Sequence, residues 1–333
     1  MNPTPSPSLP AASAEPIRAL LPEVRALIDA AAQGTWPGLA DQIRCQMTDH
    51  PLPFPLVVPL ATCLLAGGAR EQAITVAGAC GLLALATRWF DDVQDRDRDG
   101  ALWSQLGSVR ASNMAAACFA LSVQLLARDP AMPRVVVSSF VEGALVLARG
   151  QDRDLAGCAR SAEDYWTLMR EKTGAALALA ARAGALAGRA EPAIAEPLGR
   201  YGEHLGVLIQ ILDDLDGCFH PAGMGDLQAG KVTLPVLFGL TVDHSRRAAL
   251  RALVAEGRLG QERAQALEIL DSIETREFLV WAASEEHRQA LEHLSRTSVP
   301  PHPRRDAALR ALESFAHALM SDVDELLSRP PSA

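Results

Sequence analysis

The sequence predicts an all-α fold, one large helical bundle, on three observations. Alanine and leucine dominate while aromatic residues make up only 5% of the chain, a balance that favours helix over strand. Apolar residues recur at helical spacing, as at Leu20, Leu21, Val24, Leu27 and Ile28, which puts an apolar stripe on one helix face. No stretch alternates apolar and polar over the length of a strand, and no segment repeats at a solenoid period. The 333 residues are enough to bury a substantial core.

Taken in order, residues 1–16 are rich in Pro, Ser and Ala and are expected to form a disordered tail, with a helical domain over 17–328 and a frayed end at 329–333. A first amphipathic helix runs from Ile17 to about Gly34, and a shorter one covers Leu39 to Met47. Prolines at 51, 53 and 55 force an extended break. A helix from Leu56 to Leu65 stops at Gly67-Gly68. The next, about Glu71 to Arg96, carries no charge between Gln72 and Arg88; a polar loop through Gly100 follows. Helices are expected at Val109–Ala127 and Arg134–Arg149, the latter closed by Gln151 and Asp154. Others are expected at Ala162–Gly174, in a small-residue stretch through Leu186, and at Glu196–Asp216. A glycine-rich loop, Gly217 to Gly230, precedes several amphipathic helices up to Leu327.

The formal net charge of −9 argues against nucleic acid or an anionic membrane as the main partner. Six scattered cysteines without a CxxC pair read as buried small hydrophobes of a reducing compartment, so a cytoplasmic location is expected. No basic segment followed by an apolar core opens the chain. The uncharged run before Arg88 falls a little short of a membrane span and contains Gly78 and Gly81, which favours a buried core helix and no integral membrane contact.

Chemistry concentrates in two acidic clusters. Asp91, Asp92 and Asp95 emerge from the apolar helix, with Asp97 and Asp99 beyond. On a helix Asp91 and Asp95 share a face one turn apart, and like charges so placed repel unless a cation sits between them. Clustered carboxylate oxygens suit a hard ion such as Mg2+; a lone cluster of this kind also reads as a solvated helix end. The second cluster, Gln210-Ile211-Leu212-Asp213-Asp214-Leu215-Asp216, again follows an apolar run and leads to Asp226 and Lys231. Two helices with inward-facing aspartates can hold Mg2+ ions between them and bind a polyphosphate through those ions. Lysine usage points the same way. Of 31 basic side chains only Lys172 and Lys231 are lysines, compact point charges of the kind used on phosphate oxygens.

These residues resemble the trans-isoprenyl diphosphate synthase (polyprenyl synthetase) family, within the class I isoprenoid synthases, over roughly Leu56 to Leu327. Asp91-Asp92-Val93-Gln94-Asp95 is similar to the first aspartate-rich motif, Gln151 and Asp154 to its Gln-x-x-Asp step, and Lys172-Thr173 to its Lys-Thr pair. Gly206 to Asp214 and the run Asp226 to Pro235 resemble the two segments that follow. The resemblance implies an all-α bundle with two aspartate-bearing helices facing a central cavity, usually a homodimer. Three Mg2+ ions would bridge Asp91, Asp92, Asp95, Asp213 and Asp214 to an allylic prenyl diphosphate. Lys172 and Lys231 would act on the leaving group, with Gln151, Thr173, Gln210 and Asp226 around the substrate. The third carboxylate position of the second motif holds Gly217, with Asp216 one place early.

Chain-elongating members anchor isopentenyl diphosphate with basic residues, and here those positions differ. Lys becomes Pro51, Arg becomes Phe54, the His position falls at about Ala84, and Gly100-Ala101-Leu102 stands for Arg-Arg-Gly. Each charged phosphate contact is worth roughly 1.5 to 3 kcal/mol, so the acceptor site is expected to be lost, unless Arg96 and Arg98 supply displaced contacts. The expected activity is therefore a class I terpene synthase that ionises farnesyl or geranylgeranyl diphosphate and cyclises or quenches the cation. The alternatives are a prenyltransferase, elongating or acting on a neutral acceptor, and a non-catalytic partner subunit. Ala86 and Thr87 stand where bulky residues shorten family products, which implies room for about fifteen to twenty carbons on the resemblance alone. Arg88 either pairs with Asp92 or senses diphosphate. Trp89, Phe90, Tyr165, Trp166, Phe219 and Trp281 offer ring faces to a cation or simply pack the core.

Overall fold

The computed structural model describes residues 15–49, 56–95, 101–219 and 225–328, and every regular element among them is helical. In chain order the helices are α1 (Glu15–Arg18), α2 (Leu21–Thr35), α3 (Pro37–Asp49), α4 (Val57–Leu65), α5 (Arg70–Asp95), α6 (Leu102–Leu106), α7 (Ser108–Arg128) and α8 (Arg134–Leu155). They continue as α9 (Ala162–Met169), α10 (Ala175–Ala187), α11 (Pro192–Phe219), α12 (Leu234–Thr241), α13 (Arg247–Ala255), α14 (Arg263–Ser272), α15 (Thr275–Ser295) and α16 (Arg305–Ser328). A π-helical turn, Arg170–Gly174, joins α9 to α10.

The expected first helix is split. α2 opens with Pro22 in its first turn, where the missing N–H costs no hydrogen bond. Between Gly100 and the helix expected from Val109 the chain forms α6, which the sequence reading does not include and which ends at Gly107 with φ 81°, a conformation glycine reaches freely. α8 runs through Gln151 and Asp154, and α11 passes Gly217 to Phe219. Residues 1–14, His50, Pro51, Phe54, Arg96, Arg98, Gly100 and 329–333 lie outside the described residues.

The chain divides into two compact units. The first comprises Met1–Leu145, Ala176–Gly202 and His293–Phe315. Its centre is α5, packed on α2, α4 and α7, with Leu82, Leu85 and Trp89 almost wholly enclosed. Burying one such side chain contributes about 1.5–3 kcal/mol. All nine residues of α4 are buried, and the Thr62 hydroxyl donates to the Val58 carbonyl at 2.9 Å. The buried Tyr201 hydroxyl donates to the Leu312 carbonyl at 2.8 Å and ties α11 to α16. Contrary to the sequence reading, α5 and α7 are each long and apolar enough to cross a membrane by length and composition. α5 spends that surface on the core. α7 is less covered, and Val109, with Val135 and Leu145 of α8, is exposed.

The second unit comprises Val146–Ala175, Glu203–Glu292 and Ala316–Ala333. Here α12 packs against α9, α13 and α14, and its Phe238 stacks on Phe278 of α15 at 3.8 Å between ring centroids. His204 Nδ1 lies 2.7 Å from Glu286 Oε2.

Candidate active site

In the second unit the sequence-predicted residues are brought together around the π turn. α9 starts with a reciprocal cap: Ser161 Oγ accepts from the Asp164 N–H, and the Asp164 carboxylate accepts from the Ser161 N–H, both at 3.1 Å. Past Met169 the backbone widens into the π turn that holds Lys172 and Thr173. Glycines let the neighbouring helices reach it. A Cβ on Gly150 of α8 would lie 2.6 Å from the Glu171 carbonyl, and one on Gly206 of α11 would lie 2.3 Å from the Thr173 carbonyl oxygen. Glu171 then bridges Arg149 and Arg153 of α8, at 2.9 Å each.

Lys172 Nζ donates to Asp154 Oδ2 at 2.5 Å. Thr173 Oγ1 donates to Gln210 Oε1 at 2.7 Å, and Gln210 Nε2 donates to Asp214 Oδ1 at 2.9 Å. The Tyr165 hydroxyl donates to the same Asp214 oxygen at 3.0 Å, and the Leu234 N–H donates to Oδ2 at 3.2 Å. Asp214 is only 1% exposed. Burial pushes its carboxyl up to about 7, against three donors that pull the other way. The Tyr165 phenol is also raised, by burial first and then by the nearby Asp214 charge. Asp213 and Asp216 are half-buried.

Asp226, 7% exposed, lies 3.4 Å from Lys231 Nζ through its Oδ1, and its carbonyl accepts from the Lys231 N–H at 2.9 Å. A Cβ on Gly217 would come within 2.6 Å of Asp226 Oδ2. A side chain at Gly217, where the resemblance places a third carboxylate, would have to shift the Asp226 carboxylate.

In the first unit, the end of α5 presents Asp91 half-buried, Asp92 buried and Asp95 exposed. Negative charge at a helix C-terminus is unfavourable to the helix dipole, so these carboxylates are not placed there for helix stability. Arg88, Thr87 and Phe90 are half-buried on the turn before them, and Ala86 is buried. Thr87 Oγ1 donates to the Ala84 carbonyl at 3.0 Å. Gln151 is half-buried. Among the described residues no group of three or more His, Cys, Asp or Glu is gathered as a ready metal cage.

The aromatic candidates separate by environment. Trp89 is fully buried. The Phe219 ring already carries the Arg276 guanidinium 3.9 Å from its centroid. Trp166 and Trp281 line a surface groove of about 530 Å³ with Glu163, Arg170 and Glu285. Tyr165 is buried, as the core-packing alternative expects, and it is also engaged through its hydroxyl, which neither sequence reading addresses.

Three comparisons bear on this geometry. The chain is 30% identical over 155 residues to the tryptophan prenyltransferase ComQ of Bacillus subtilis subsp. natto, a match covering 46% of this chain and 48% of that protein, so it spans about half of that relative. It is 29% identical over 277 residues to the (2E,6E)-farnesyl diphosphate synthase of Mycobacterium tuberculosis, covering 77% and 75%. A decaprenyl diphosphate synthase structure from Rhodobacter capsulatus shares the fold, with TM-score 0.81 at 22% identity over 93% of this chain and 98% of that one. The polyprenyl synthetase family model matches residues 55–270, which carry the aspartate clusters, both lysines and the π turn, and the chain belongs to that family.

Proposed function

We propose that this chain is a Mg2+-dependent prenyltransferase that ionises an allylic prenyl diphosphate and passes the prenyl group to an acceptor carrying no diphosphate. The observation that carries the reading is the set around Lys172, Thr173 and Lys231, held by Asp154, Gln210 and Asp226. A relative named a tryptophan prenyltransferase and another named a farnesyl diphosphate synthase support a transferase over the terpene synthase expected from the sequence.

The donor chemistry of each unit fits Mg2+ by itself: Asp91, Asp92 and Asp95 would offer carboxylate oxygens at the end of α5, and the half-buried Asp213 would offer them on α11. We assign Asp214 to anchoring instead of metal binding, because both its oxygens accept protein donors. Bound Mg2+ would supply charge stabilisation for the departing diphosphate. Lys172 and Lys231 add two positive charges to the same task. The C–O bond to diphosphate breaks with its electron pair leaving on oxygen. A bond from the allylic carbon to the acceptor forms, and the acceptor loses a proton.

The acceptor class follows from the missing anchors. Of the segment standing for Arg-Arg-Gly, the described Ala101 and Leu102 are uncharged and 3% and 1% exposed, so neither of these two offers a contact to a second diphosphate. The same feature keeps a second reading, internal quenching of the cation as in a terpene synthase. We also propose a homodimer that covers the exposed apolar side chains of Val109, Val135 and Leu145.

The test is incubation with Mg2+ and geranyl, farnesyl or geranylgeranyl diphosphate, alone, with isopentenyl diphosphate, or with an indole-containing peptide. Prenylated peptide supports the proposal. Hydrocarbon or alcohol formed without acceptor selects the second reading, and longer diphosphates made only with isopentenyl diphosphate refute the assigned acceptor class.

A further inference from the structure

We infer that Tyr165 is a positioning residue for the two lysines, acting through Asp214; this rests on the proposed transferase reading. Tyr165 is 7% exposed, and its hydroxyl reaches across from α9 to Asp214 on α11. Asp214 is the node on which the lysine-bearing segments converge. Through Gln210 it is joined to Thr173, the neighbour of Lys172. Through the Leu234 N–H it is joined to the start of α12, three residues after Lys231.

The stretch between Lys231 and α12 is not helical, and the Asp214–Leu234 bond fixes where it enters the helix, alongside the Lys231 N–H bond to the Asp226 carbonyl. Tyr165 and Gln210 share Oδ1. Removing the phenol hydroxyl leaves one buried lone pair short of a donor, and Gln210 is then free to re-orient toward it and release Thr173. A buried polar group that loses its partner is driven to find another. The lysines would remain present with their ammonium groups displaced.

Such a displacement acts on the leaving diphosphate, whose charge grows during ionisation, more than on substrate capture. In Tyr165→Phe, kcat is expected to fall by about ten- to a hundredfold with KM for the allylic diphosphate within about twofold, as misplacement by about 1 Å does elsewhere. Binding of inorganic pyrophosphate with Mg2+, measured by calorimetry, is expected to weaken by about tenfold, because pyrophosphate carries the charge of the departed group. Thr173→Val should reproduce the loss, Thr173→Ser should largely restore it, and Tyr165→Phe with Thr173→Val should fall well short of additive.

A Tyr165→Phe enzyme with a lowered melting temperature but unchanged kcat and pyrophosphate affinity would overturn the inference, since a purely structural role predicts that pattern. Additive effects with Thr173→Val would overturn it as well. If Tyr165→Phe does not fold, the Thr173 pair reads the same path. Should the wild type turn over no allylic diphosphate, the functional reading fails separately, and pyrophosphate binding still decides the role of Tyr165.

Discussion

Lys172 and Asp154 form a charge-assisted hydrogen bond, Nζ to Oδ2, between the π turn and the last turn of α8. The partners are 30% and 41% exposed, so the pair contributes little to stability. Its effect should be on placement. Lys172→Ala is expected to lower kcat/KM by about a hundred- to a thousandfold, as loss of a charge-stabilising donor does. Asp154→Ala should cost about three- to tenfold, by letting the ammonium group wander. Steady-state kinetics with parallel melting curves checks both, and the melting temperatures should agree within about 2 °C.

Gly217 and Asp226 give a second test. Gly217→Asp would restore the third carboxylate of the second motif in sequence, yet its Cβ would meet Asp226 Oδ2 at 2.6 Å. The variant should lose about 1–3 kcal/mol in urea unfolding through overpacking and like-charge repulsion, with no gain in Mg2+ affinity. Gly217→Asp with Asp226→Gly should recover part of that stability.

The buried carboxyl of Asp214 makes the metal-free protein pH-sensitive in a defined direction. Its folded pKa is raised to about 7 from an ordinary value of 3.8, so the folded state holds the proton more tightly. That contribution is fully present below about pH 4 and is lost as pH rises through about 7, amounting to about 4 kcal/mol at most. In EDTA, the stability of wild type relative to Asp214→Asn should decline between pH 4 and 7 and level off above, as read from urea midpoints at each pH. A flat difference would mean that the three donors hold the carboxylate ionised throughout.

Chelation and association complete the set. EDTA should abolish turnover, and Asp91→Ala should shift the Mg2+ dependence to higher concentration. Val109→Asp with Leu145→Asp is expected to convert the proposed dimer to a monomer in sedimentation velocity, because these exposed apolar side chains would then carry charge into the contact.

Much of this was legible in the sequence because helical periodicity is a local property. The apolar spacing of α5 reads correctly from residues close together in the chain. The partners of the site were less legible. That Tyr165 would meet Asp214, 49 residues on, or that Gly217 yields to Asp226, depends on packing that no spacing rule encodes. α6 was missed because five residues are too few for a periodic signal. The terpene synthase expectation leaned on absent anchors, whereas the relatives found by comparison are named as a tryptophan prenyltransferase and a farnesyl diphosphate synthase.

The π turn at Arg170–Gly174 has a consequence for insertions and deletions. An α-helix advances about 100° per residue, so the wider turn works as one residue of register slack. Deleting a single residue within it would let α9 run on as ordinary helix, with circular dichroism almost unchanged. Lys172 and Thr173 would nevertheless swing by about a quarter of a turn away from Asp154 and Gln210. In this stretch a well-folded, fully helical product is the expected signature of a broken enzyme.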